Sequence, residues 1–117
     1  MQEKIKHINA NGIEYPIVFN LNVMEIIQEE YGSLEKWGEL TDGKEKEIDV
    51  KALKFGITEM INEGIDIENE GLEVKREFLS KKQVGRIITD VGVEKLAKDV
   101  QNTVIDSTKT DDEPKNE

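Results

Sequence analysis

The sequence has no cysteine and only one histidine, His7. The absence of thiols excludes disulfides, thiolate metal sites and a cysteine nucleophile, and it suits a reducing cytoplasm. With no second histidine, a zinc site is not expected. His7 lies in a predicted strand without a serine neighbour to activate, so we expect a solvent-facing or hydrogen-bonded side chain rather than a catalytic base. No carboxylate pair and no glycine-rich phosphate loop stands out, so we expect a protein that is not an enzyme and has no cofactor.

Apolar residues are also scarce. Hydrophobic residues make up 36% of the chain and aromatic residues 5%, where about 45–50% apolar residues, glycine included, is usual. We therefore expect a thin core, and 117 residues suffice for one ordinary domain. No run of about 18 apolar residues occurs, and the first residues contain no basic segment followed by an apolar run. Neither a membrane span nor a secretion signal is expected, and the chain is interpreted as a soluble cytoplasmic protein.

Negative charge dominates the sequence. Twenty-six Asp and Glu residues outnumber sixteen Lys and Arg residues, which gives a net charge of −10. Affinity for nucleic acids comes largely from cations that displace counterions at phosphates. Direct binding of DNA or RNA is therefore not expected, and another protein is the more plausible partner.

A β-hairpin is predicted at the N-terminus. Residues 3–9 and 13–20 are rich in β-branched or aromatic side chains, and Asn11-Gly12 between them tolerates the positive φ of a tight turn. Pro16 has no backbone N–H, so its strand is expected at an edge or paired on one side only.

Two helices are predicted directly after the hairpin. Asn20 or Asn22 can cap the first, whose apolar face runs to a stop at Gly32. Ser33 is the expected cap of a short second helix that reaches Trp37.

Three further helical segments complete the predicted body. Asp49 opens the longest helix, in which apolar residues recur every three or four positions up to Gly64. The acidic stretch 65–77 has no sustained period and is interpreted as a loop. Ser80 begins a capping-box pattern, and after Gly92 a second amphipathic stripe predicts a terminal helix.

These elements predict an α+β, mostly α fold: an N-terminal hairpin (residues 3–20) and a body of about four to five helices (residues 21–105). Residues 1–105 would form a single globular domain. Residues 106–117 contain no large apolar side chain, so nothing there could offset the entropy cost of ordering. We expect this end to be a disordered acidic tail.

The acidic stretch approaches the spacing of a calcium-binding loop, with oxygen ligands at alternate positions, a glycine for the turn and a closing glutamate. The candidate ligands are Asp66, Glu68, Glu70 and Glu77. Glu68 and Glu70 are longer than the Asp or Asn that normally fits, so an acidic loop without metal is the favoured interpretation.

The terminal helix carries the best candidate surface for a partner or for self-association. Two consecutive amphipathic helices are expected to give a thin-cored domain more apolar face than it covers by itself. The candidate residues are Val93, Leu96, Val100 and Val104. Packing of this stripe on the longest helix is an equal alternative. Trp37 and Phe55 are of residue types found at interfaces, but in so aromatic-poor a chain we favour a place in the core.

Residues 11–20, NGIEYPIVFN, contain a Gly-x-x-Tyr-Pro pattern, and residues 22–34 follow as an amphipathic helix that ends at a Glu-x-x-Gly sequence. In these residues the chain resembles the tail assembly chaperones of long-tailed siphophages and related prophages of Gram-positive bacteria. The later part matches this family in the order and length of its elements.

The resemblance implies a protein of the bacterial host cytoplasm that is absent from the mature virion, binds the tape measure protein and helps recruit tail tube protein. It implies no catalytic residues. Members of the family are often also made as a longer, frameshifted form. Self-association into a homo-oligomer is a further expectation for this chain. The net charge suggests one alternative, an acidic inhibitor or DNA mimic whose carboxylates occupy a basic protein partner.

Overall fold

The computed structural model describes residues 3–109 and contains a hairpin followed by five helices. The strands are β1 (Lys6–Ala10) and β2 (Ile13–Ile17), and the helices are α1 (Leu21–Tyr31), α2 (Leu34–Thr41), α3 (Val50–Asn69), α4 (Lys81–Val91) and α5 (Val93–Thr108). The predicted α+β, mostly α fold is confirmed. Within the described residues, no helix is long and apolar enough to cross a membrane.

The hairpin forms at the predicted turn. β1 and β2 pair in antiparallel register, and Asn11 and Gly12 have φ angles of 54° and 78°. Positive φ at both central residues is what a type I′ hairpin turn requires. Pro16 stands opposite His7. Because a two-residue turn closes on a hydrogen-bonded pair and bonded and non-bonded pairs alternate, the Pro16 pair is a non-bonded one and the ladder loses no bond there.

Four of the five helices begin at side-chain caps that the sequence predicts. The side chains of Asn20, Ser33 and Asp49 each accept a hydrogen bond from the backbone N–H three residues later. Ser80 forms a complete capping box with the side chain three positions on. α5 follows α4 directly at Gly92, which has a φ of 109°. Local sequence therefore determines where these helices start.

α3 is the central element, and it is longer than predicted. The helix continues through Gly64 to Asn69. A Cβ at Gly64 would lie 2.9 Å from the Pro16 Cβ and 3.2 Å from its carbonyl carbon, so the glycine allows β2 to lie against the helix. The Val18 N–H also donates to the Met60 carbonyl at 3.2 Å. Gly64 is thus a site of close packing, and its interpretation as a helix stop was wrong.

Trp37 is the largest side chain of the core. It lies in the middle of α2, which runs past the predicted end to Thr41. Its ring is 1% exposed, and its Nε1–H donates to the Ala52 carbonyl at 2.9 Å. Phe55 is partly buried and meets Tyr31 edge to face, with ring centroids 5.5 Å apart. The expected core role of Trp37 is confirmed.

α5 extends beyond the predicted end of the domain. The helix reaches Thr108 rather than residue 105, and the Ser107 side chain is fully buried. The Lys6 ammonium donates to the Asp106 carboxylate at 2.6 Å, which joins the hairpin to the end of α5. α5 thus continues three residues beyond the predicted boundary at residue 105. Residues 110–117 of the predicted tail lie outside the described residues.

Candidate functional site

The predicted calcium ligands do not form a loop. Asp66 and Glu68 lie in the last turns of α3, and Glu70 is its C-terminal cap. Positions two apart on a helix point about 200° apart, so Glu68 points away from Asp66 and Glu70 and the three carboxylates do not converge. Glu77 lies in the following loop. In residues 3–109, no group of three or more His, Asp or Glu side chains converges in a way that could hold a metal ion. The helical placement of Asp66 and Glu68 differs from the loop geometry on which the weak calcium candidate depended.

The predicted partner stripe is part of the core. Leu96 and Val100 are fully buried, and Val93 and Val104 are partly buried against the same core cluster. α5 packs on both α4 and α3. The alternative of packing on the long helix is thus the correct one for Leu96 and Val100, which are inaccessible to a partner in this fold.

A neighbouring face of α5 is open and lines a groove of about 990 Å³. Val93, Ala97, Gln101 and Ile105 follow one another at every fourth position along this face. The opposite wall consists of residues 42–48 and of Val50 in the first turn of α3. We call this feature the α5 groove.

The α5 groove combines exposed aliphatic side chains with charges of both signs. Val50 is 52% exposed and Ile105 is 50% exposed, and Ile48 and Val93 are partly buried beside them. Gln101 donates from Nε2 to the Thr41 hydroxyl at 3.1 Å, which fixes α5 against the end of α2. The charged residues of the lining are Asp42, Lys44, Glu45, Lys46, Glu47, Glu94 and Lys98.

A second exposed apolar surface lies in the loop between α3 and α4, residues 70–80. Val74 is 85% exposed and Phe78 is 58% exposed. The amide of Asn62 bonds both the backbone N–H and the carbonyl of Leu79, at 2.8 and 3.0 Å. Asn69 holds Arg76 in the same way, at 2.9 and 3.0 Å. The backbone of this loop is therefore fixed to α3 while apolar side chains face solvent.

The ionisable groups with shifted pKa values lie outside the α5 groove lining. A hydrogen bond from Lys6, and then the charge of that lysine, lower the pKa of the Asp106 carboxyl. Burial raises the pKa of the Tyr31 phenol, and the carboxylates of Asp49 and Glu30 raise it further. His7 is exposed and shares a 2.8 Å hydrogen bond with Glu68, as expected for a strand histidine.

What the α5 groove can do chemically is hold a polypeptide. Aliphatic side chains along its walls offer apolar area to bury, and the surrounding charges can select the sign of the partner. Sequence reasoning missed Val50 and Ile105 as surface residues. The row of every fourth residue shares Val93 with the predicted stripe and then runs one position beside it, through Ala97 and Gln101 to Ile105.

Comparisons with known proteins were made for the whole chain. No family model, no curated protein and no solved structure matches it. The features that bear on function are therefore the α5 groove and the sequence pattern of residues 11–34.

Proposed function

We propose that this chain is a phage tail assembly chaperone that binds the tape measure protein and helps recruit tail tube subunits. It acts without catalysis in the cytoplasm of the bacterial host and is absent from the mature virion. The observation that supports this most strongly is the α5 groove, an open apolar surface on a strongly acidic chain. The pattern in residues 11–34 supports the choice of family.

The apolar residues of the groove suit a contact that must later be released. Val50 and Ile105 are each about half exposed, so covering the remainder contributes roughly 1 kcal/mol per side chain. Two such contacts change a dissociation constant by roughly thirtyfold. These two side chains therefore contribute to the contact without making it irreversible, because association itself costs more than they supply.

The net charge of the chain suits a chaperone because it opposes aggregation. A chaperone–client complex that carries excess negative charge repels its copies, so exposed client segments do not aggregate. The −10 charge of this chain supplies that repulsion, while the aliphatic residues of the groove supply the contact.

The test is co-expression with a tape measure protein from the same phage or prophage genome. The wild-type chain should keep the client soluble and co-purify with it. A variant carrying Val50→Asp and Ile105→Asp should fold but lose the client. Leu21→Asp is the matched control, because Leu21 is 68% exposed and lies outside the groove lining. A client that stays insoluble and unbound beside the wild-type chain contradicts the proposal.

The net charge of −10 favours one second candidate, an acidic inhibitor or DNA mimic of a basic protein. Salt separates the two functions. A mimic held by exposed carboxylates should lose most of its affinity between low and moderate ionic strength, since exposed charges are screened. A chaperone held by aliphatic contacts should keep a larger share of its affinity, because salt screens only the charges beside the apolar contact.

A further inference from the structure

We infer that the α5 groove accepts an amphipathic α-helix of about three turns, with lysine or arginine beside its apolar face. The inference deepens the proposed function, because it states the chemistry of the client segment, and it rests on that proposal for the client's identity.

The backbone of the groove favours a helical occupant over an extended one. One wall is α5, whose backbone N–H and C=O groups are bonded within the helix from Val93 to Thr108. An extended peptide binds by adding a strand to an unpaired sheet edge, and α5 offers no such edge. Residues 42–48 of the opposite wall form no strand either. The groove therefore offers mainly side-chain contacts, and an amphipathic helix presents a row of apolar side chains to a groove.

The length of the groove and the ridges of side chains on α5 fit a short helix. From Val93 to Ile105 the rise is about 18 Å, which a helix of about 12 residues also spans. The row of every fourth residue that includes Ala97 forms one ridge, and Glu94, Lys98 and Asn102 form the next. Another helix packs a ridge of its own side chains between two such ridges. Ala97 in the middle of the row is buried, so the exposed apolar contact of this row is at Ile105.

The charges around the groove favour a cationic occupant. Four carboxylates line it against three lysines. Among the described residues, none of these seven side chains forms an ion pair, so the carboxylates are available to a partner. The whole chain carries −10, and long-range attraction will therefore raise the association rate of a basic helix and lower that of an acidic one.

The walls of the groove are positioned before any partner arrives. The hydrogen bond from Gln101 to Thr41 ties α5 to α2, and the Asp49 N–H donates to the Leu40 carbonyl at 2.8 Å, which closes the loop of residues 42–48. A groove fixed in this way loses little conformational freedom on binding. A short helix can then bind with only a few apolar contacts.

The probes are labelled synthetic peptides of about four helical turns, measured by fluorescence anisotropy against the full chain. The first peptide carries aliphatic residues at helical spacing and lysines beside them. The second has glutamate in place of lysine, and the third has the composition of the first in an order that destroys the apolar face. We expect the lysine peptide to bind at low salt, the glutamate peptide to bind at least about tenfold more weakly, and the scrambled peptide not to bind.

Single substitutions locate the bound peptide. Val50→Asp and Ile105→Asp should each weaken the lysine peptide by about fivefold or more, whereas Leu21→Asp should leave its affinity unchanged. Circular dichroism confirms that each variant is folded, and Val50→Ser and Ile105→Ser replace any variant that is not. Equal binding of the lysine and glutamate peptides, equal binding of the scrambled peptide, or an equal loss with Leu21→Asp overturns the inference.

The peptide and co-expression experiments fail in different ways. If the lysine peptide binds in the groove but the tape measure protein does not co-purify, the groove chemistry is correct and the proposed function is wrong. If the tape measure protein co-purifies equally well with the Val50 and Ile105 variants, the proposed function holds and the inference about the groove is wrong.

Discussion

Gly56→Ala tests the packing on which the fold depends. Gly56 is buried in α3 beneath the Trp37 ring. A Cβ at this position would overlap the ring at Cζ2 and would lie 2.9 Å from Cε2. Neither side can easily move, because Trp37 is fully buried and its indole N–H is bonded to the Ala52 carbonyl. Alanine at position 56 therefore requires the tryptophan to shift.

Two opposing effects set the expected magnitude for Gly56→Ala. Alanine is favoured over glycine in a helix interior by about 1 kcal/mol. Overpacking a buried site costs about 1–3 kcal/mol, and a buried indole N–H that loses its acceptor costs about 1–3 kcal/mol more. The clash should win, with a loss of about 2–3 kcal/mol in the free energy of unfolding. For a domain of this size, that lowers the melting temperature by roughly 10–15 °C.

Gly38→Ala is the matched control in α2, since no heavy atom lies within 4 Å of a Cβ built there. Only the helix preference acts, so this variant should gain up to about 1 kcal/mol. Urea unfolding followed by circular dichroism measures both variants, and fluorescence of Trp37, the single tryptophan, reports whether its ring has moved. If Gly56→Ala is as stable as the wild type, or gains stability as Gly38→Ala does, the proposed packing of Trp37 on α3 is wrong.

Four further predictions follow from other parts of the fold. Leu96→Asp should unfold the chain, as judged by circular dichroism, because it buries an unpaired charge; a folded variant would contradict the core placement. In an NMR titration, Asp106 should show a pKa below that of an ordinary aspartate, and Lys6→Met should raise it. Since the folded pKa is the lower one, the stabilisation is present above the unfolded pKa and is lost as pH falls through the folded pKa. Asn62→Ala removes both bonds to Leu79 and should speed limited proteolysis within residues 70–80, while cleavage elsewhere stays slow. Millimolar calcium, compared with chelator, should leave the melting temperature unchanged, and a rise would restore the calcium-loop hypothesis.

The features that could be predicted from sequence are those decided by neighbouring residues. The Asn11-Gly12 turn and the caps at Asn20, Asp49 and Ser80 each depend on side chains and backbone groups within a few positions. The local chemistry is the same in any tertiary context. These predictions therefore hold, and with them the fold class.

The features that were missed are decided by residues far apart in the chain. Gly64 resembles a helix stop until Pro16 is seen against it. In the sequence, Asp106 resembles the start of a disordered tail. In the structure it accepts a hydrogen bond from Lys6. Neither contact is visible in a short stretch of sequence. Sequence analysis therefore assigns Gly64 to a helix end and Asp106 to a disordered tail, and the structure places both inside helices.

The site was missed for a related reason. A strongly periodic apolar stripe is the best evidence of a buried face, so selecting the strongest stripe of α5 selected Leu96 and Val100, which are core. The accessible row beside it includes the polar Gln101, and its partner wall comes from residues 42–48. A binding surface is exposed to water when no partner is bound, so it contains polar residues. The periodicity of its apolar residues is therefore weaker than that of a core-facing stripe.

The distribution of apolar residues gives a further argument for a binding function. Single exposed hydrophobic residues are ordinary on protein surfaces. In a chain with only 36% hydrophobic residues, however, aliphatic side chains removed from the core leave less to stabilise it. Val50 and Ile105 are half exposed on a pre-positioned groove, and Val74 and Phe78 are exposed on a loop that two asparagines fix to α3. Fixing the backbone beneath exposed apolar groups does not increase their burial, but it lowers the entropy lost when a partner covers them. A rigid apolar surface on a thin-cored protein is therefore better explained by binding than by folding.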